Sequence, residues 1–377
     1  MRITTNVSVH PPMPLQMTAR ISNVLLFLHH FAKRLVKKVL LLGVGLLVTA
    51  YLLLTLSREN DSTSASHSEE KNDHFGRGRV SSNLLLPKYS KLDTFMVVCI
   101  LSAPNNVQAR LAARESWLTL LKQKDPDNTG PRSVQPLFVV GGQDLDVEVF
   151  QSLHDEMNLY HDLLILDNLV DSYANLTLKV VHAYSWINAN LRPQYVIKCD
   201  DDSYVRLDLI AEELKRPRLS MHQRLYWGFF DGRARPFKKG KWSETTWNLC
   251  DLYLPYALGG GYVVSANLVS FVARNAPDLR LFFNEDVAMG TWMAPLDVDR
   301  VHDTRFDTEY KSRGCFSSYL ITHKQTPELL REKHKNLIKT GSICGGPQNE
   351  FRSRLSYDYN WAVPPSQCCH RGSNDLP

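Results

Sequence analysis

Between residues 95 and 199, short apolar runs alternate with stretches of helical period. Phe95 to Leu101, Pro136 to Val140, Leu163 to Leu166 and Tyr195 to Cys199 are nearly continuous apolar runs rich in Val, Ile, Leu and Phe. That is the pattern of strands buried on both faces. Between them, Val107 to Leu121, Val147 to Leu159 and Leu176 to Ile187 carry apolar residues at helical spacing. Strands interleaved with helices of this length connect as right-handed βαβ units, so the pattern predicts an α/β fold with a Rossmann-like, mostly parallel sheet. Beyond residue 202 the pattern turns irregular. Tyr226 to Phe230 leads into a basic stretch and then into Ala257 to Ser265, where Gly259, Gly260 and Gly261 permit close approach of a neighbour to the backbone.

The first ninety residues follow other rules. Val39 to Leu56 has no charged residue and nearly the length needed to cross a bilayer core, and Lys33, Arg34, Lys37 and Lys38 stand just before it. The expected organisation is a cytosolic tail at residues 1–38 and a single N-terminal transmembrane signal-anchor at 39–56. A polar, Ser-rich stem at 57–90 and a lumenal globular domain at 91–377 complete it. A cleavable signal peptide is the rival, but the long leader and the lack of a small-residue cleavage pattern speak against it. The stem holds too few large apolar residues to fold alone.

Composition changes this picture little. With 377 residues and 44% hydrophobic content the chain can bury a substantial core. The net charge of +5 comes from residues 1–58, which hold seven Lys and Arg and no acid; the remainder has 37 basic against 39 acidic side chains. No general nucleic-acid surface is expected. Seven cysteines in a chain facing an oxidising compartment predict disulfides, with at least one thiol left over. Cys99 and Cys199 sit in apolar runs and read as buried thiols, which leaves Cys250, Cys315, Cys344, Cys368 and Cys369 as the disulfide candidates. Two sequons, at Asn60 and Asn175, are candidate glycosylation sites.

The candidate chemistry begins at Asp200-Asp201-Asp202, where an apolar strand empties into a loop. Three adjacent carboxylates repel one another unless water or a cation neutralises them. Oxygen ligands at a strand end suit a hard divalent ion that shares its shell with substrate phosphates. A solvated acidic loop and the aspartyl-phosphate nucleophile of haloacid-dehalogenase-like phosphatases are the alternatives. Glu285-Asp286 opens a helical stretch; either carboxylate could complement the helix dipole or serve as a general base. His323 ends an apolar run as a structural hydrogen-bonder or a metal ligand. Arg110 and Arg114, one turn apart, could clamp a diphosphate or form a solvated basic face. Arg233, Arg235, Lys238, Lys239 and Lys241, flanked by Trp227 and Trp242, form either a loop that holds an acidic or phosphorylated glycopeptide or a merely solubilising one.

Taken in order, six segments resemble the β-1,3-glycosyltransferase family that includes the β-1,3-galactosyltransferases and, more distantly, the Fringe enzymes. They are Arg110 to Trp117, Phe138 to Gly141, Asp171 to Lys179, Lys198 to Asp202, Gly259 to Ser265 and Glu285 to Val287. Trp227 to Pro236, His302 to Cys315 and Pro364 to Cys369 look most like the branch that builds the glycosaminoglycan linkage region. That branch adds galactose in β-1,3 linkage to the galactosyl-xylosyl primer on proteoglycan serines. The resemblance implies a GT-A fold, a UDP-galactose donor, Mn²⁺, and a Golgi type II membrane enzyme that could assemble with itself or with other Golgi glycosyltransferases. It implies Asp202, Asp200 and His323 as metal ligands and Asp286 as catalytic base, with Glu285 as the fallback. Arg110, Arg114, Asp171, Lys179 and Asp201 fall in segments associated with nucleotide-sugar binding. Trp227, Trp242, Lys238, Lys239 and Glu285 are the acceptor-side candidates. One departure is Ala288-Met289, where relatives carry a bulkier or more polar pair.

Overall fold

The computed structural model describes residues 91–122, 134–350 and 357–371. The expected tail, membrane anchor, stem and the Asn60 sequon lie outside the described residues, among which no helix is long and apolar enough to cross a membrane.

The four apolar runs are strands: β1 (Leu92–Leu101), β2 (Val134–Gly141), β3 (Leu163–Leu166) and β4 (Leu191–Asp200). They pair in parallel in the order β3-β2-β1-β4. Three crossover helices connect them: α1 (Val107–Glu115), α2 (Val147–Tyr160) and α3 (Leu176–Asn190). The chain continues through the two-residue β5 (Tyr204–Val205), α4 (Leu207–Lys215), β6 (Leu225–Asp231), β7 (Tyr256–Ser265), α5 (Ala266–Asn275), α6 (Glu285–Met293) and β8 (Asp299–His302). It then makes the short strands β9 (Phe306–Asp307), β10 (Gly314–Cys315) and β11 (Ile321–Thr322) and the helix α7 (Pro327–Thr340). β7, β6 and β8 extend the sheet to seven strands, and only β7 runs against the rest.

The sheet is buried on both faces, which is why its strands show continuous rather than alternating apolar runs. Met96, Val98 and Ile100 of β1 point into one core with Ala112 of α1, Met157 of α2 and Ile210 of α4. Val97, Cys99 and Leu101 point into the other with Val180 and Tyr184 of α3, Leu268 of α5 and Met289 of α6. The first helix is shorter than its periodicity predicts. It stops at Glu115 because Ser116 leaves helical geometry (φ −114°, ψ −111°), and the remaining apolar residues form a 3₁₀ segment, Trp117–Lys122. That break seats Trp117, which is fully buried.

Two features position the site. β7 is antiparallel to β4 with Cys199 opposite Gly261, so the beginning of β7, Tyr256 to Gly260, lies beyond the carboxyl end of β4 where Asp200 stands. A second small sheet, β5-β11-β9, pairs Tyr204 with Thr322 and Thr322 with Asp307. It carries His323 back to the loop that holds Asp202. Of the five disulfide candidates, Cys315 and Cys344 are bonded to each other, whereas Cys250 is an exposed free thiol, contrary to expectation. Cys99 and Cys199 are buried thiols, as expected.

Candidate active site

The Asp triplet divides its labour. Asp200 and Asp202 face His323: its Nε2 lies 3.4 Å from Asp200 Oδ2 and 3.0 Å from Asp202 Oδ1. One ligand atom from each of the three falls within 4.8 Å of the others. The two carboxylate side chains are about one-third exposed and the imidazole is nearly covered, so the cluster opens on one side. Burial raises the cost of charging Asp200, but Lys198 and His323 outweigh it and hold Asp200 far below the usual carboxylate range. Burial likewise opposes a charge on His323, but the two carboxylates dominate and push it up to about 9. Asp202 Oδ1 and both ring nitrogens of His323 are buried without an aligned hydrogen bond. Two carboxylates and one imidazole with unsatisfied ligand atoms fit a divalent cation, whose charge would take the place of the imidazole proton.

Asp201 turns the other way. It is buried, and its Oδ2 accepts from Ser102 Oγ at 2.7 Å and Asn106 Nδ2 at 2.9 Å; burial raises its pKa against those two bonds. It fastens the triplet to the β1–α1 loop rather than joining the metal cluster. Arg110 completes this support. Its guanidinium is fully buried and donates to Glu156, Ser102 Oγ, Ala103 O and Pro104 O. Arg114 pairs with Glu156 and Asp162 and lies over the rings of Phe138 and Tyr160. Neither guanidinium is available to clamp a diphosphate, and neither makes a solvated face; both build the floor beneath the β1–α1 loop. Lys179 is likewise buried and donates to Asp171 Oδ2 at 2.6 Å and Ser102 O at 2.5 Å, while Asp171 Oδ2 also accepts from Gly141 N. Asp171 and Lys179 thereby lock the ends of β1 and β2 together.

Glu285 and Asp286 separate as cleanly. Glu285 is buried, its Oε2 2.9 Å from Lys198 Nζ and its Oε1 accepting from Tyr262 OH at 2.5 Å. Lys198 also donates to Asp200 Oδ1 and Gly259 O. Glu285 therefore ties the start of α6, through Lys198, to Asp200, and both of its oxygens are engaged. Among the described residues Asp286 is held by backbone donors alone, Gly259 N to Oδ2 at 3.0 Å and Val287 N to Oδ1 at 2.9 Å. Burial, and then the charge of Glu285, pushes it up to about 6.

The three glycines of β7 are explained by what stands on them. A β-carbon on Gly260 would lie 2.6 Å from the His323 ring, one on Gly261 2.6 Å from Ile321, and one on Gly259 3.2 Å from Asp286 Oδ2. Asp286 and His323 thus stand against neighbouring residues of β7, and Lys198, which donates to both Asp200 Oδ1 and Gly259 O, ties the strand end that holds Asp286 to the Asp200–Asp202–His323 cluster.

The acceptor-side candidates divide by exposure. Lys238, Lys239, Lys241 and Trp242 are exposed, and Trp242 is in ring contact with Phe237 and Tyr310. Trp227 is completely buried, its Nε1 bonded to Asp303 and its ring against Phe306; it is core and cannot touch a ligand. Asn175 precedes α3 without capping it, its Nδ2 donating to Val170 O, and the sequon's Thr177 is buried with its hydroxyl on Phe282 O. The sequence reading gave no role to Ser102, Asn106, Glu156, Lys198, Glu244 and Asn284. Lys198 alone left a signal, since it is two residues before Asp200 on a strand and so on the same face.

Residues 108–304 match the family model described as Galactosyltransferase. The chain is 47% identical to the mouse protein named Beta-1,3-galactosyltransferase 6 over 278 residues, which are 74% of this chain and 83% of that one. It is 31% identical to the Arabidopsis thaliana Hydroxyproline O-galactosyltransferase GALT6 over 70% of this chain and 38% of that longer one. Among solved structures, that of S. aureus TarS 1–349 aligns with a TM-score of 0.32 at 14% identity, over 56% of this chain and 58% of that one, too slight a likeness to argue from. The chain belongs to the galactosyltransferase family.

Proposed function

We propose that this transferase moves galactose from UDP-galactose, with inversion, to the 3-hydroxyl of galactose in the Galβ1,4Xyl primer on proteoglycan serine. The observation that carries the reading is Lys198, which joins Asp200 of the candidate metal cluster to Gly259, the residue whose N–H holds Asp286. Asp200, Asp202 and His323 would hold the ion, taken as Mn²⁺, and a bound cation would neutralise charge building on the UDP leaving group. Asp286, with both oxygens oriented by backbone N–H groups, accepts the proton of the attacking hydroxyl. Glu285 is consumed by Lys198 and Tyr262 and offers no second nucleophile, which favours a single displacement and therefore a β product from an α-linked donor. The buried network of Ser102, Arg110, Asp171, Lys179 and Asp201 shapes the nucleotide side of the cleft, and Trp242, Lys238 and Lys239 face the acceptor. Val39 to Leu56 with its basic flank supports a type II Golgi membrane enzyme with a lumenal domain.

The test incubates the detergent-solubilised chain with UDP-galactose, Mn²⁺ and a galactosyl-xyloside, and determines product mass and linkage. A new β-1,3-linked hexose, lost on chelation, is expected. Transfer only to N-acetylglucosamine or N-acetylgalactosamine acceptors would remove the linkage-region acceptor while leaving the family intact.

A further inference from the structure

We propose that Glu244 is a positioning residue for the reaction, a brace that makes the exposed loop at residues 237–247 and the segment delivering Asp286 one rigid unit. This rests on the reading of Asp286 as the base. Glu244 is 1% exposed, yet it has no cationic partner among its hydrogen bonds. Its Oε2 accepts from Phe283 N at 2.6 Å and from Asn284 N at 3.4 Å, and its Oε1 accepts from Thr246 Oγ1 at 2.7 Å. Phe283 and Asn284 are the last two residues before α6, which begins Glu285-Asp286. A buried carboxylate is costly unless its lone pairs are filled. Here they are filled by the backbone that fixes where the base helix starts.

The neighbouring contacts point the same way. Asn284 Nδ2 donates to Trp242 O at 3.1 Å, and Asn284 Oδ1 accepts from Tyr173 OH. Trp247 is buried against Tyr253 and Phe282, and Arg280 holds Thr246 O and Asn248. The loop is therefore anchored at its base and exposed at its tip, where Phe237, Lys238, Lys239 and Trp242 stand. If packing alone were required, an apolar residue beside Trp247 would serve. A carboxylate that bridges the loop to residues 283 and 284 ties the position of a bound acceptor to the position of Asp286, and a displacement of about 1 Å there is enough to slow the reaction on the order of a hundredfold.

The experiment compares Glu244→Asp, which keeps the charge but shortens the reach, with Glu244→Gln, which keeps the reach without the charge. Both are assayed in the full chain with UDP-galactose and a galactosyl-xyloside. The expected result is a fall in kcat of about tenfold or more and a raised acceptor KM for Glu244→Asp, with the donor KM and the thermal midpoint near wild type. Glu244→Gln restores most of the activity. Wild-type kcat and acceptor KM in Glu244→Asp, or donor KM and thermal midpoint changing as much as kcat, would overturn the brace. Asp286→Asn is run alongside: an active Asp286→Asn removes the base reading itself, whereas an inactive Asp286→Asn beside a normal Glu244→Asp removes only the brace.

Discussion

Asp286 and Glu285 are neighbours with opposite fates, and the difference is one of partners. Glu285 is held in place by a buried lysine and a tyrosine hydroxyl; among the described residues Asp286 has backbone donors alone, and the like charge of Glu285 beside it. A general base acts only when ionised, so an Asp286 pushed up to about 6 gives an activity that is full above that value and falls as pH drops through it. A cation in the cluster would pull the same way as Lys198, so at saturating metal the limb sits at or below pH 6. Glu285→Gln removes the like charge and leaves Lys198 less neutralised, and both effects lower the Asp286 pKa. The acid limb of kcat/KM is expected to move to lower pH in that variant; an unchanged limb would assign the ionisation to another group. Asp286→Asn removes the base outright and is expected to lose on the order of 10²–10⁴ in kcat, with donor binding retained in equilibrium titrations.

At the scale of elements, a single strand organises the site, because β7 runs backward into the gap beyond β4 and its glycines let two side chains settle on its backbone. None of these three glycines has a positive φ, so their role is space and not backbone freedom. Gly260→Ala, which would set a methyl group 2.6 Å from the His323 ring, is expected to push that ring aside and weaken divalent-metal affinity by more than tenfold, measured by titration calorimetry; unchanged affinity would mean that His323 is not held for a metal. The arginines of α1 give the complementary case. Their spacing is legible in the sequence, but Glu156 and Asp162, 42 to 48 residues away, are not, so nothing in the local pattern separates a phosphate clamp from a buried ion pair. Removing one partner of a buried pair costs about 3–5 kcal/mol. Arg110→Ala is therefore expected to lower the unfolding free energy by an amount of that order, read by denaturant titration. A variant of normal stability with selectively weakened UDP binding would restore the clamp.

For the whole molecule, what the sequence shows and what it hides follow the range of the interactions. The first four strands and their helices are local patterns under a uniform rule, burial on both faces, and they stand where the periodicity puts them except that α1 stops at Glu115. The reversed β7 was hidden because its glycines imitate a loop, and Trp227 was misplaced because an aromatic beside a basic run looks the same whether it faces water or the core. The candidate metal ligands and base were found through the order of several motifs. Their supports, Ser102, Lys198 and Glu244, come together only on folding. The disulfide shows the same dependence on distant parts, since Cys315 lies at β10, ahead of the strand that delivers His323, and Cys344 follows α7. Closing this loop, whose ends are 29 positions apart in sequence, restricts the unfolded chain and contributes about 3–4 kcal/mol. β11 has only two residues and relies on its neighbours for its position. The double change Cys315→Ser with Cys344→Ser is therefore expected to lower the thermal midpoint by several degrees and to weaken metal affinity together, whereas the sheet around β1 and β4, which the bridge does not touch, keeps its amide-exchange protection. A loss of stability with metal affinity intact would show that the small sheet holds His323 without the covalent staple.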